Sequence, residues 1–477
     1  MINETIFDLF ENVQVGFLVD SAKAVAGDIR LDSSHFVDDS NIVLNENIKF
    51  TTLSTFINDV EEPKLFTRIY CDKEFGVPYI SSSEMSEIEP PVNSRFISKT
   101  LTGNINQYII KRGQVLVSAA GTVGSIVLAT KELNGVAGTS DILRINVDKE
   151  TNLGFVFTYL TSSFGANELA NLAYGAIIKR VRGFQLAQLK TPIIDNKSIL
   201  KINTIVLAAL EVRENANLLL SKARQLSLEL NNLPVLEDTS YEDEYSNGVL
   251  NYQVIKGINT ESAFRLNSHY YKKVFIEIND NIKNFASNSD CIVNLSKRVF
   301  LCYRFPRNFV DSENGIPLIG TRSSLQVRPT EMKYLAKDEV ENDDELIIKK
   351  NWILLARVGT FGGTFGKVAF AWNNFEGYVA SDNIIRIVPN DSAIDPAYLY
   401  AYLSSQYGYS QLIQLKHGAA QAALDHTEIS NIVVPIPSDK QQKQIGDLVR
   451  QAYDLRAEAI RLEDEAQTLL TQALTKE

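Results

Sequence analysis

A chain of 477 residues, 45% hydrophobic and 22% charged, has room for two or three globular domains, each large enough to close its own core. Its formal net charge of −11 argues against a stand-alone nonspecific nucleic-acid binder, whose affinity would come from neutralising phosphates. No stretch reaches the roughly 18 apolar residues of a membrane helix, and the N-terminal MINETIFDLFENVQ carries acids where a signal peptide would be basic. Cys71, Cys291 and Cys302 are too few and too scattered for a disulfide framework or a zinc cluster. The expected setting is a reducing cytoplasm, without a membrane.

In chain order, the first β-rich stretch is Val115–Ser118 and Ile126–Ala129, short aliphatic runs around a glycine turn at Gly121–Gly124. A helical run follows at Phe155–Ser163. From there apolar residues recur in steps of three and four: Ile202, Ile205, Ala209, Val212, Ala216, Leu219, Ala223, Leu226 and Leu230. That is a heptad seam, an apolar stripe that must be buried against a partner helix. Glu237–Glu244 holds five acids and no base, the composition of a solvated linker. The pattern then starts again. Ile353–Leu355 and Val368–Phe370 flank a longer glycine-rich turn, Gly359–Gly366, and a helical run covers Ala397–Ser405. A second seam closes the chain at Ile445, Leu448, Ala452, Leu455, Ala459, Leu462, Ala466, Leu469 and Ala473.

The two halves are copies. Ile445 lies 243 residues after Ile202, and Pro435 lies 243 after Pro192. GVPYI at Gly76 answers to GIPLI at Gly315, an offset of 239. IKRGQVLV at Ile110 answers to IKKNWILL at Ile348, an offset of 238, and Ser140-Asp141 to Ser381-Asp382 at 241. Slowly drifting offsets mean small loop insertions within one shared fold. The predicted class is α/β with α+β heads: two tandem similar domains, each followed by a long helix, the helices pairing as an antiparallel coiled coil. The boundaries are 1–195 for the first head, 196–232 for its helix, 233–262 for the acidic linker, 263–437 for the second head and 438–477 for its helix. The helix-pair interface is expected at Ile205, Val212, Leu219, Leu226, Leu448, Leu455, Leu462 and Leu469, with the alanines of each seam permitting close approach.

This order of head, helix, head, helix resembles the specificity subunit of type I restriction-modification systems. The phrases that carry the likeness are Arg30-Leu31-Asp32-Ser33, Gly76-Val77-Pro78-Tyr79-Ile80-Ser81, the IKRGQVLV stretch with Gly121-Thr122, and Val434-Pro435-Ile436-Pro437 leading into the second helix. The first helix departs from it, being approached through Pro192-Ile193-Ile194-Asp195 without a second proline. The resemblance runs from about Asp28 to Leu474. It implies two target recognition domains, each reading half of a bipartite, asymmetric duplex-DNA target, with the helix pair as spacer. It also implies two methyltransferase partners that bring S-adenosylmethionine, and ATP- and Mg-dependent restriction subunits that join in some assemblies. No catalytic residue, metal site or directly bound cofactor is expected in this chain. Alternative readings are the equivalent subunit of a type IIB-like system, or a coiled-coil scaffold whose heads bind protein.

The residues themselves offer no enzyme. Gly359–Lys367 fails as a phosphate-binding loop, because Phe361 stands where glycine is needed and Val368 where Ser or Thr is needed, and it reads as a turn. The four histidines have no ligand spacing. Three local groups suit DNA. The first is Lys179, Arg180 and Arg182, where the second copy has Gln421 and its uncharged neighbours; a change between copies fits either separate base readers or a drifting surface loop. The second is the loop after the Gly-x-Pro strand, Ser81, Ser82 and Ser83 against Thr321, Arg322 and Ser323, whose hydroxyls and arginine suit base edges or phosphates. The third is basic–aromatic: Arg68 and Tyr70 in one head, Tyr303, Arg304 and Arg307 in the other. For each of these a solvated surface cation is the competing reading.

Overall fold

The computed structural model describes residues 45–89, 95–120, 124–173, 180–236, 267–329, 332–360, 362–418 and 422–475. Arg30–Ser33, the Gly121-Thr122 turn, Lys179, Gln421 and the acidic run Glu237–Glu244 lie outside them.

In the first head the strands are β1 (Lys49–Thr52), β2 (Ile57–Glu61), β3 (Gly76–Ile80), β4 (Arg95–Ser98), β5 (Val115–Ser118), β6 (Ile126–Leu128), β7 (Ala137–Gly138) and β8 (Ile142–Val147). Helices α1 (Leu153–Thr161), α2 (Ser163–Leu172) and α3 (Gly183–Ala187) follow, then β9 (Lys190–Ile193) and the long α4 (Asn196–Glu229). The strands make a four-stranded sheet, β2-β8-β5-β6, a three-stranded sheet, β4-β3-β7, and the pair β1-β9. α1 is buried along nearly its whole length, as its FVFTYL sequence requires. The Ser162 hydroxyl caps α2 by accepting from the Gly165 amide at 3.0 Å.

The second head repeats this plan after α5 (Lys273–Phe285). Its strands and short helices are β10 (Ser289–Cys291), α6 (Ile292–Leu295), β11 (Ser296–Leu301), β12 (Phe309–Val310), β13 (Gly315–Ile319), β14 (Lys333–Ala336), α7 (Lys337–Val340), β15 (Ile353–Ala356), β16 (Val358–Gly359), β17 (Val368–Phe370), β18 (Val379–Ala380) and β19 (Ile384–Pro389). Then come α8 (Pro396–Leu403), α9 (Gln406–Gln414), β20 (Ala422–Ala423), α10 (His426–Ile429), β21 (Val433–Pro435) and the long α11 (Asp439–Thr475). Sheet β11-β19-β15-β17 matches β2-β8-β5-β6, and β12-β14-β13-β18 matches β4-β3-β7 with one added edge strand. Even the register repeats: Leu116 faces Arg144 on β8, and Leu354 faces Arg386 on β19. The halves are one fold twice.

The two long helices pack antiparallel. Arg213 of α4 pairs with Glu463 of α11 at 2.6 Å, while Asn217, one turn on, meets Arg456, nearly two turns back. The buried rows are Ile202, Val206, Ala209, Arg213, Ala216, Leu220, Ala223 and Ser227 on α4, and Ile445, Val449, Ala452, Arg456, Ala459, Glu463, Ala466 and Leu470 on α11. This corrects the expected interface. The alanines are buried as foreseen, but Ile205, Val212, Leu219, Leu226, Leu448, Leu455, Leu462 and Leu469 are all half-buried and flank the seam. Each helix turns its face four residues on from those alanines, not three, toward its partner. Leu219, Leu226, Leu448 and Leu455 pack against the second core, and Ile205 and Leu469 against the first, each core being built from a head and both helices.

Each head closes its core on one end of the pair. Ile202, Val206 and Leu210 join Ala466, Leu470 and Leu474 in the first core; Ala216, Leu220 and Ala223 join Ile445, Val449 and Ala452 in the second. Arg112 and Lys131 bring the first head to α4 through the buried Glu214, at 2.7 and 3.1 Å. Leu233 and Leu236, assigned from sequence to the linker, are buried in the second core. Being apolar, they continue the hydrophobic face of α4 past its end.

Candidate nucleic-acid interface

The basic–aromatic residues lie along the edge of the smaller sheet in both heads. In the first, Tyr70 bridges to Ile97 of β4, and Arg95 at the start of β4 holds its guanidinium 4.6 Å from the Tyr70 ring. Arg68 is exposed and lies 5.8 Å from the ring of Tyr79. In the second, Phe309 pairs with Leu335 of β14, and Lys333 at the start of β14 sits 5.0 Å from the Phe309 ring. Arg307 lies 5.8 Å from the Phe305 ring. The shared pattern is Phe-x-Arg-x-aromatic, Phe66–Tyr70 and Phe305–Phe309, at the same offset of 239 as the Gly-x-Pro strand that follows. Arg95 and Lys333 were missed at the sequence level; the strand registers make them equivalent, since Arg95 stands opposite Tyr79 and Lys333 opposite Leu318, at an offset of 238.

The second head gathers two of its predicted groups. Arg307, Thr321 and Ser323 line one cleft of about 300 Å3 together with Lys333, Ser381 and Asn383. Asp382 beside it accepts from Arg307 at 2.5 Å and lies 3.9 Å from the exposed Arg304. Tyr303 donates its hydroxyl to Asp343, and this bond holds the phenol above its usual range. Beneath the cleft, Arg386 is fully buried and donates to the carbonyls of Ser381 (3.0 Å) and Ile384 (2.6 Å), pinning the loop that carries Asp382. Its counterpart Arg144 is equally buried and reaches Glu61 at 3.0 Å. Neither buried arginine was singled out from the sequence, since nothing local separates a buried arginine from a surface one.

Other predicted residues are committed within the chain. Arg180 pairs with Asp141 at 3.1 Å and Arg182 with Glu62 at 2.7 Å, so both described cations of this patch are paired within their own head. Ser81 gives both its amide and its hydroxyl to Glu84, at 2.6 Å each, and Ser83 bonds Ser81 at 3.0 Å. Ser81, Ser82 and Ser83 are half-buried and build a turn instead of presenting free hydroxyls. In the second head the Ser323 hydroxyl accepts from the Gly320 amide at 2.8 Å, Thr321 is half-buried, and Arg322 stands exposed.

Those turns lead the chain to a junction between the heads. Ile88 donates its amide to the Leu325 carbonyl at 2.8 Å, and Val327 donates to Ser86 at 3.0 Å. Glu87 and Gln326 form the bridge between them. Ile88 and Val327 are repeat equivalents, as are Ser86 and Leu325, and Glu87 and Gln326; the pairing is therefore reciprocal about a local two-fold axis. Around it, the buried Glu87 meets the half-buried Lys367 at 2.6 Å. Burial raises the Glu87 carboxyl to about 7 despite that lysine. Glu89 takes both amino groups of Arg224, at 2.8 and 2.6 Å. Burial would raise its carboxyl, but Arg224 and then Arg456 outweigh it and hold it below the usual range. Arg328, the equivalent of Glu89, binds Glu463 at 3.1 Å and Asp464 at 2.9 Å. Gly362 (φ +69°) packs on Arg95: a Cβ there would stand 2.8 Å from the arginine Cγ. The glycine-rich stretch thus acts as a turn permitting close approach.

Among the described residues no cluster of His, Cys, Asp or Glu could hold a metal ion, and no helix is long and apolar enough to cross a membrane. The arrangement offers ion-pairing and hydrogen-bonding surfaces on two similar heads.

Comparison with known proteins identifies the fold's relatives. The profile of the type I restriction modification DNA specificity domain matches twice, over residues 45–219 and 303–465. The specificity subunit of the type I restriction enzyme EcoBI from Escherichia coli is 27% identical over 156 residues, which is 32% of this chain and 32% of that protein. The aligned part thus spans about a third of that relative's length. Among solved structures, the type I restriction-modification S subunit from M. genitalium shares 16% identity over 91% of this chain and 99% of its own, with a TM-score of 0.33. The HsdS subunit from Thermoanaerobacter tengcongensis shares 13% over 92% and 100%, with a TM-score of 0.28. With both halves matched in order, and well over half of the 477 residues covered, the chain belongs to the type I restriction-modification DNA specificity domain family.

Proposed function

We propose that this chain is a noncatalytic reader of a bipartite, asymmetric duplex-DNA target, and that it positions two adenine methyltransferase subunits over it. The observation that carries this reading is the pair of topologically matching heads on opposite ends of one antiparallel helix pair, each with a cation–aromatic sheet edge. Val449 lies in the core of the second head and Leu470 in that of the first. The 21 residues between them span about 32 Å of helix, close to the roughly 34 Å of one duplex turn. S-adenosylmethionine would be bound by the methyltransferases, and ATP with Mg by restriction subunits where these join. A net charge of −11 agrees with partners supplying part of the phosphate grip.

The test is methylome sequencing of cells with and without the gene. A two-part adenine-methylated motif that disappears on deletion is the expected result, and exchange of the first head for that of another family member should alter one half of the motif alone. An unchanged methylome, or a motif altered in both halves by the exchange, would refute the reading. A stable homo-oligomer with no methyltransferase affinity would favour a protein scaffold instead.

A further inference from the structure

The backbone of a DNA duplex is two-fold symmetric about every base pair, whatever the sequence, whereas the base edges of an asymmetric target are not. A chain whose heads are related by a local two-fold axis therefore meets equivalent phosphates with equivalent residues. Unlike half-sites must be told apart by residues that differ between the heads. The junction at Glu87 and Gln326 supplies that axis.

Sorted in this way, the sheet-edge residues fall into two sets. The shared set is Arg68 with Arg307, and Arg95 with Lys333, each cation lying beside an aromatic ring in its own head. Arg68, Arg307 and Lys333 are exposed, and the rings restrict where the cations point without choosing a base. The unlike set holds Arg304, where the first head has Leu65, and Arg322, where it has Ser83. Both arginines are exposed.

We infer that Arg68 and Arg307, with Arg95 and Lys333 beside them, grip phosphates on opposite strands without regard to sequence, while Arg304 and Arg322 read bases of the second half-site. The inference rests on the DNA-reading proposal above. Asp382, 2.5 Å from Arg307, occupies the place of the phosphate until DNA arrives, so the exchange trades one anionic acceptor for another.

The experiment uses the chain assembled with its methyltransferase, on a duplex carrying the methylated motif and on a scrambled duplex, across a salt series. R68Q and R307Q should each weaken both duplexes by the same factor. Each should also make the fall of log K with log salt shallower by about 0.9 for every phosphate no longer neutralised. The methylated motif should stay unchanged, and R68K and R307K should restore the slope. R304Q and R322Q should instead relax base preference in the second half-site only. An unchanged slope in R68Q and R307Q at an unchanged unfolding midpoint would overturn the assignment, as would a base preference altered by either. Failure of the wild-type complex to bind any duplex would sink the DNA-reading proposal itself.

Discussion

Replacing Glu87 by glutamine should stabilise the junction between the heads at alkaline pH and leave it unchanged in mild acid. Glu87 is 5% exposed, and its carboxyl is raised from 4.5 to about 7, chiefly by burial, with Lys367 opposing at 2.6 Å. In the unfolded chain the group loses its proton near 4.5; in the folded chain it keeps it to about 7. Between those values the folded state binds more protons, so raising the pH across this window costs stability. The shift of about 2.5 units corresponds to about 3 kcal/mol, fully present above pH 7. Glutamine keeps the shape of the protonated acid and cannot ionise. Urea midpoints of the two proteins should coincide near pH 4, below the unfolded value, and diverge by pH 8, with E87Q the more stable. Protection of the Ile88 and Val327 amides from hydrogen exchange should follow the same difference, because they close the junction. If wild type is the more stable at pH 8, the ion pair with Lys367 outweighs desolvation and the reasoning fails.

R224M should cost about 3–5 kcal/mol, since it strands the buried Glu89, and R224M with E89Q should recover much of that; urea unfolding of the single and double variants decides it. G408A places a Cβ 2.3 Å from the Tyr402 carbonyl oxygen and G165A one 2.0 Å from that of Tyr159. Each should therefore lower stability by about 1–3 kcal/mol, and an unchanged melting midpoint would rule out the close approach. A heptad inserted into both long helices between Arg213 and Asn217, and between Arg456 and Glu463, should lengthen the gap of the methylated motif only by breaking the Ser86–Ile88 pairing with Leu325–Val327. Lower stability should accompany the longer gap, and an unchanged gap would show that the helices do not set it.

The duplication, the order of strands before helices and both long helices were legible because they rest on periodicity and on repeated phrases, which survive drift in loops. The seam was displaced because half of its buried row is not apolar throughout: Arg213 and Ser227 on α4, and Arg456 and Glu463 on α11, interrupt it. Hydrophobicity alone therefore pointed to the flanking leucines. The basic stretch at Arg180 and Arg182 looked free since its partners Asp141 and Glu62 lie 39 and 120 residues away. The junction was invisible for a similar reason. Ser86-Glu87-Ile88 carries no local signal, and only the fold sets it against its own repeat.

The ion pairs around the two-fold axis are not themselves two-fold, and this distinguishes the halves. Glu87 and Gln326 are equivalents, as are Glu89 and Arg328, yet they differ in charge. Lys367, which neutralises Glu87 from the other head, has Ser125 as its counterpart: it precedes β17 as Ser125 precedes β6. Two first halves brought together in the same way would face Glu87 against Glu87, with serine where the lysine belongs, and would bury two carboxyls that repel. Their Arg213 residues would also lose Glu463, whose counterpart is Leu220. The backbone pairing at the junction is indifferent to which halves meet, since it uses amides and carbonyls that both copies have. The side chains are not indifferent. Discrimination between a correct first-with-second union and a first-with-first one therefore resides in Lys367 and Glu463, both contributed by the second half to acceptors and donors of the first.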